Sequence, residues 1–323
     1  MFYRLGKHIV IQVIALVLLF GWAAYSIVTG LTVCPADGQP VLYQLLGTFW
    51  SAKPVFGKIS AILMLFAETW LIWRFYSTSR FSENSNFMPA LFFLLLLNIG
   101  GFASNLDPAH VTVLFLTVII VFNSKAQSEK EIVNNRIFTS GILTGIASLI
   151  DPAAIGLLLF MTMSLIAHHY YSKGKKITIF LFGLLFVFIY LFSIYFLIGR
   201  VPELLESFRN LCFFDLFRHF KELRLQDYIF AGYLVAGVLY IGIRLKLFYD
   251  NKAIMLRRHL VSLNILMFVT AAMILLSGLN FRNCQIYMTV PLSLFFSILT
   301  TQKSKFVFHD LLLIAFYALL LWV

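Results

Sequence analysis

Apolar positions run along this chain in long blocks, with neither the alternation of a strand nor the one-sided stripe of a surface helix. A helix of about 20 apolar residues crosses a bilayer core. By that measure the pattern predicts about eleven spans, near 9–31, 55–76, 88–104, 108–124, 137–150, 152–171, 176–198, 227–248, 259–279, 285–301 and 305–323. The first run is longer than the apolar centre of a cleaved signal peptide, about 7–15 residues, so it is expected to be retained as a span. Pro54, Pro89, Pro108, Pro152 and Pro202 stand at proposed helix starts, where a missing N–H costs nothing. Pro291 falls inside the tenth run and is expected to kink it. The fold class expected is all-α: a single transmembrane helix bundle over residues 1–323.

Composition supports lipid as the solvent. Of the 323 residues, 61% are hydrophobic and 12% charged, with 35 phenylalanines, against about 25% charged in soluble domains. The net charge of +11 does not point to nucleic acid, which needs a continuous basic face. The basic residues instead sit in short clusters between apolar runs. Placing the N-terminus in the cytoplasm puts 17 of the 25 Lys and Arg on inner segments, among them Lys173, Lys175, Arg257 and Arg258, as the positive-inside rule asks. Cys34, Cys212 and Cys284 then share the outer side, and nothing in their spacing specifies a pair.

Two connecting stretches read almost alike: GFASNLDPAH at 101–110 and GIASLIDPAA at 145–154. Each is expected to close a helical hairpin, 88–124 and 137–171, on the outer side. An aspartate before proline is a good N-cap, accepting from the first N–H groups and favouring the positive helix end. Upstream glycine and alanine let helices approach closely. Asp107 and Asp151 therefore have a complete capping explanation. The same geometry admits a functional one, in which both carboxylates face an outer vestibule and bind a cation or a hydroxyl-rich head group. His110 lies one helical turn from Asp107, but Ala154 takes that place in the second copy, which argues against a symmetric metal site.

Glu68, in LFAETWLIW, is the one carboxylate well inside an apolar run. An ionisable group at depth is costly and marks a functional hypothesis; the plain alternative is a hydrogen-bonded glutamate facing another helix. Arg74 is six residues away and does not share its helix face. In the first outer loop, Asp37 stands between Ala36 and Gly38, and a turn explains it simply. Residues 41–50 then read as a short interfacial helix. The segment 200–225 reads as an amphipathic element lying on the outer surface, either a lid or a gate with Arg209 beside a lipid phosphate. Arg282, in NFRNCQ, is placed to hold a phosphate bidentately or to pair with Asp107 or Asp151. The adjacent His168 and His169 do not share a face and make a poor metal pair. No Walker, HExxH, GxSxG, CxxC or dinucleotide motif occurs.

With the stretches GQPVLYQLL, NFMPALFFLL, GILTGIASLIDPAAIGLLLF and IYMTVPLSLFFSI, the chain resembles an uncharacterised family of bacterial polytopic inner-membrane proteins. More distantly its plan is similar to the GT-C glycosyltransferases, multi-span enzymes that use lipid-phosphate-linked sugars and carry an acidic residue in the first outer loop. That resemblance implies handling of a polyprenyl-phosphate-linked glycan or lipid. Asp37 would be the base or metal-holding acid, Arg282 a phosphate contact, and Asp107 and Asp151 the rim. A divalent cation enters only under this reading, and no other cofactor is expected. Two departures stand against it: Asp37 has no acidic neighbour, and no stretch of these 323 residues is expected to form the large soluble outer domain common in that superfamily. The other classes that fit are a non-catalytic assembly partner for another membrane protein, and a small-solute or lipid transporter with Glu68 as coupling group.

Overall fold

The computed structural model describes residues 8–34, 40–79, 81, 86–128, 133–167, 173–202, 204–205, 254–276 and 286–300. Among them are ten α-helices: α1 (Ile9–Gly30), α2 (Val41–Ala52), α3 (Pro54–Thr78), α4 (Met88–Ile99), α5 (Pro108–Ser128), α6 (Val133–Ile150), α7 (Gly156–Ala167), α8 (Lys173–Ile198), α9 (Ile254–Leu276) and α10 (Ile286–Thr300). The runs expected at 227–248 and 305–323, and nearly all of the amphipathic segment 200–225, lie outside the described residues.

Among the described residues, four helices are long and apolar enough to cross a membrane: α1, α3, α8 and the stretch Arg257–Ile274 of α9. Four more apolar helices are shorter, Met88–Asn98, Pro108–Ser124, Pro152–Ala167 and Ile286–Ile298. The third expected span is the clearest case of shortening. It was predicted over 88–104, yet the helix stops at Ile99, and twelve residues at 1.5 Å each reach only about 18 Å. The Gly100–Gly101 doublet explains the stop: Gly101 is left-handed at φ 65°, and two glycines cost a helix about 2 kcal/mol relative to alanine. Pro291 lies within α10, which runs on past it to Thr300.

The exteriors of α1 and α8 are apolar and uncovered. Val10, Val17, Leu18 and Tyr25 on one, and Phe182, Ile189, Tyr190 and Phe196 on the other, are exposed. Helices that are apolar all round belong in a core or in lipid. The interior is closed by aromatic and aliphatic side chains such as Tyr76, Phe93, Phe160, Phe180 and Phe295. Helix ends are tied by side chains from neighbours. Gln12 Oε1 on α1 accepts the Phe87 N–H at the start of α4 (2.8 Å), and Lys58 Nζ on α3 donates to the Val28 carbonyl near the end of α1 (2.6 Å).

The helices either side of each Asp-Pro corner do not pair chiefly with each other. α4 packs on α1, α3 and α10, while α5 packs on α6 and α3. α6 packs most extensively on α8, where three glycines make the crossing. A Cβ at Gly141 would lie 2.2 Å from the Phe180 carbonyl oxygen, one at Gly183 2.3 Å from that of Phe138, and one at Gly145 3.0 Å from the Val187 side chain. This is the small-residue contact that lets two backbones meet.

One feature departs from a purely helical plan. Thr32–Val33 (β1) and Asn105–Leu106 (β2) form a two-residue parallel pair, Thr32 opposite Asn105 and Val33 opposite Leu106.

Candidate functional site

The parallel pair draws the loop after α1 onto the corner before α5. The Leu106 carbonyl accepts the Cys34 N–H at 3.2 Å and the Tyr43 hydroxyl of α2 at 2.8 Å. Thr32 Oγ1 donates to Asn105 Oδ1 at 2.6 Å. Residues from two separate stretches, α2 and the loop after α1, thus converge on the two positions that precede Asp107.

Asp107 is buried, at 4% exposure. Its Oδ1 accepts the His110 N–H at 2.8 Å, the geometry of an N-cap on α5 with Pro108 as first helical residue. Burial pushes its carboxyl up to about 6, although the backbone N–H groups it accepts and the neighbouring His110 pull the other way. The second corner uses the same device on a tighter bend. The Asp151 N–H still donates to the Ala147 carbonyl of α6, while its Oδ1 accepts the Ala153 N–H at 3.0 Å. The capped element is a 3-10 turn, Pro152–Ile155, which leads into α7. Burial pushes the Asp151 carboxyl up to about 7, opposed by the Ala153 N–H and reinforced by the charge of Asp107. The two aspartates are therefore electrostatic neighbours. Cys34 is too: burial first, then the charge of Asp107, holds its thiol above the ordinary value.

His110 follows one turn into α5. Its Nδ1 lies 3.0 Å from the Asn105 carbonyl oxygen, and its Nε2 lies 3.6 Å from Glu68 Oε2 on α3. Glu68 has no exposed surface and His110 has 1%. Neither Glu68 oxygen and neither His110 Nε2 nor Asp151 Oδ2 has a hydrogen-bond partner among the described residues. Glu68, Asp107, His110 and Asp151 thus form a chain of buried ionisable groups across α3, α5 and the end of α6. They do not make a metal site: no group of three or more ligating side chains occurs among the described residues.

Three of the residues singled out from sequence lie outside the described residues: Asp37, Arg209 and Arg282. The flanks of Asp37 are described, Cys34 bonded to the Leu106 carbonyl and Pro40 buried at the start of α2. Arg74 does not turn toward Glu68; its guanidinium lies over the Trp70 ring at 4.9 Å. His110 as the partner of Glu68, and Asn105 as the group that orients it, were not evident from sequence. The only signal was that each ionisable residue interrupts an apolar run.

A second polar patch lies along the other ends of these helices. Asn123 Nδ2 donates to Ser164 Oγ at 2.7 Å, Ser164 meets Ser262, and Ser79 meets Ser124. A small pocket there is lined by Asn123, Ser124, Ser262 and His259 with Phe75 and Phe160.

Comparison with family models, with curated proteins and with solved structures finds no match for this chain.

Proposed function

We propose that the protein is a polytopic inner-membrane protein that handles a polyprenyl-phosphate-linked glycan or similar lipid at the outer face, in the manner of the GT-C glycosyltransferases. In this reading about eleven helices cross the membrane, the N-terminus is cytoplasmic, and the segment 200–225 lies as an amphipathic helix on the outer surface. Asp37 acts as general base, or holds a divalent cation, while Arg282 and Arg209 contact phosphate. Asp107 and Asp151 brace the corners below.

The observation that supports it is the stitching of the first loop. Cys34 and Tyr43 both bond the Leu106 carbonyl, so the loop that carries Asp37 is pinned on both flanks. In this reading the anchored flanks would help bring Asp37 within the hydrogen-bond reach that a general base needs. The test is sugar transfer from a polyprenyl-phosphate donor by the reconstituted protein. Asp37→Asn is expected to lower turnover by about 10²-fold or more with thermal stability unchanged. Undiminished turnover would sink the assignment.

A transporter with Glu68 as coupling group is the second reading, supported by the full burial of Glu68 beside His110. It predicts solute flux into vesicles that depends on the pH gradient and is lost in Glu68→Gln. Failure of both assays favours the non-catalytic assembly partner.

A further inference from the structure

The hydrogen-bonding arithmetic around His110 leaves one proton to be accounted for. Nδ1 faces the Asn105 carbonyl at 3.0 Å. A carbonyl oxygen only accepts, so Nδ1 carries hydrogen. A neutral ring then presents the Nε2 lone pair toward Glu68 Oε2, 3.6 Å away. An ionised carboxylate also presents only lone pairs. Two acceptors would face each other with no donor between them, where exposure is 0% and 1% and unpaired polar groups are costly.

One additional proton removes the conflict. On Nε2 it makes an imidazolium facing a carboxylate; on Oε2 it makes a carboxylic acid facing a neutral ring. The two forms hold the same number of protons. We propose that Glu68 and His110 together form a proton-binding site, which holds one proton between Oε2 and Nε2 at neutral pH.

The surroundings isolate this site. His110 and Glu68 act on each other, and Asp107 acts on both His110 and Asp151. The remaining helices packed on α3, namely α1, α2, α4 and α10, bring no charged side chain. Their titratable groups are the phenols of Tyr25, Tyr43 and Tyr287. The site is also mechanically connected. The Asn105 carbonyl that orients the ring belongs to β2, which pairs with β1, and the Asn105 side chain accepts from Thr32. Loss of the proton sets lone pairs of His110 and Glu68 against each other and loads that connection. The proposal goes beyond the transferase reading and does not rest on it: Asp37→Asn leaves it untouched.

The test is a proton titration of the full-length protein in lipid nanodiscs by solid-state NMR with 15N-labelled histidine. His110 is assigned sequentially through Ala109 and Val111. The wild type is expected to keep Nδ1 protonated. It is also expected to show, at neutral pH, either a doubly protonated ring or an Nε2 that accepts from a carboxylic acid. In Glu68→Gln the ring is expected to be neutral, with one fewer bound proton per molecule than in the wild type. A neutral wild-type ring beside an ionised Glu68 would overturn the proposal. So would equal numbers of protons bound at neutral pH by wild type and Glu68→Gln. The wild-type spectrum decides the first of these even if the variant does not fold.

Discussion

Two aspartates cap helices in this molecule from positions with almost no access to water, and the burial sets their chemistry. An aspartate at an exposed cap is ionised and gains from the helix end. Asp151, at 1% exposure, instead has its carboxyl raised from 3.8 to about 7. The folded state then holds a proton that the unfolded chain would have released. The contribution of Asp151 to stability is greatest below about pH 4, falls as pH rises from there toward 7, and levels off above. Asp151→Asn keeps an acceptor for the Ala153 N–H and removes the ionisation. It is expected to flatten that slope and to raise the melting temperature in detergent at pH 8 by several degrees, as read by thermal unfolding between pH 4 and pH 8. A steeper slope in the variant would show that the charged form is the stable one. The capping role was legible from Asp-Pro alone, because it needs only neighbours in sequence. The Glu68–His110 contact was not, because it depends on how α3 and α5 are rotated and slid against each other, which no local pattern records.

At the scale of elements, the near-repeat of 101–110 and 145–154 folds in two ways. Gly101 and Ser104 sit in a left-handed turn and a 3-10 segment, within an eight-residue connection, 100–107, between α4 and α5. Gly145 and Ser148 remain helical, and a single residue, Asp151, separates α6 from its capped turn. The first copy has Gly100 before it; the second has Thr144, and its Gly145 is pressed against α8. Local propensity decides one copy and tertiary packing the other. Sequence alone shows the shared aspartate cap and misses this split. The α6–α8 crossing yields a sharp comparison. Gly183→Ala puts a methyl 2.3 Å from a backbone oxygen and is expected to cost about 1–3 kcal/mol, as overpacking does. Gly21→Ala on α1 meets nothing within 4 Å and is expected to be neutral or to stabilise by up to about 1 kcal/mol. Denaturation of both variants in mixed micelles separates the two; equal effects would contradict the close approach of α6 and α8.

For the whole molecule, the sequence pattern identified the long helices α1, α3, α8 and α9 within a few residues, since each fills a continuous apolar run. It overestimated the length of the run at 88–104, because hydropathy does not register a left-handed glycine. The orientation proposed from Lys and Arg makes a direct prediction. Lys53, between α2 and α3, and Lys175, in the first turn of α8, are both exposed and are assigned to opposite faces. A membrane-impermeant maleimide applied to intact cells is expected to label Lys53→Cys and to reach Lys175→Cys only after lysis. The reverse pattern would invert the map and move Asp37 to the cytoplasm.

The β1–β2 pair also imposes an order on biogenesis. Thr32 and Asn105 are 73 positions apart, and ribosomes deliver them in that sequence. While residues up to 104 are being made, the Cys34 amide and the Tyr43 hydroxyl have no Leu106 carbonyl to meet. They remain solvated until Leu106 emerges. The latch therefore cannot close until residue 106 is made, and a nascent chain arrested before residue 105 is expected to present its first loop open to protease.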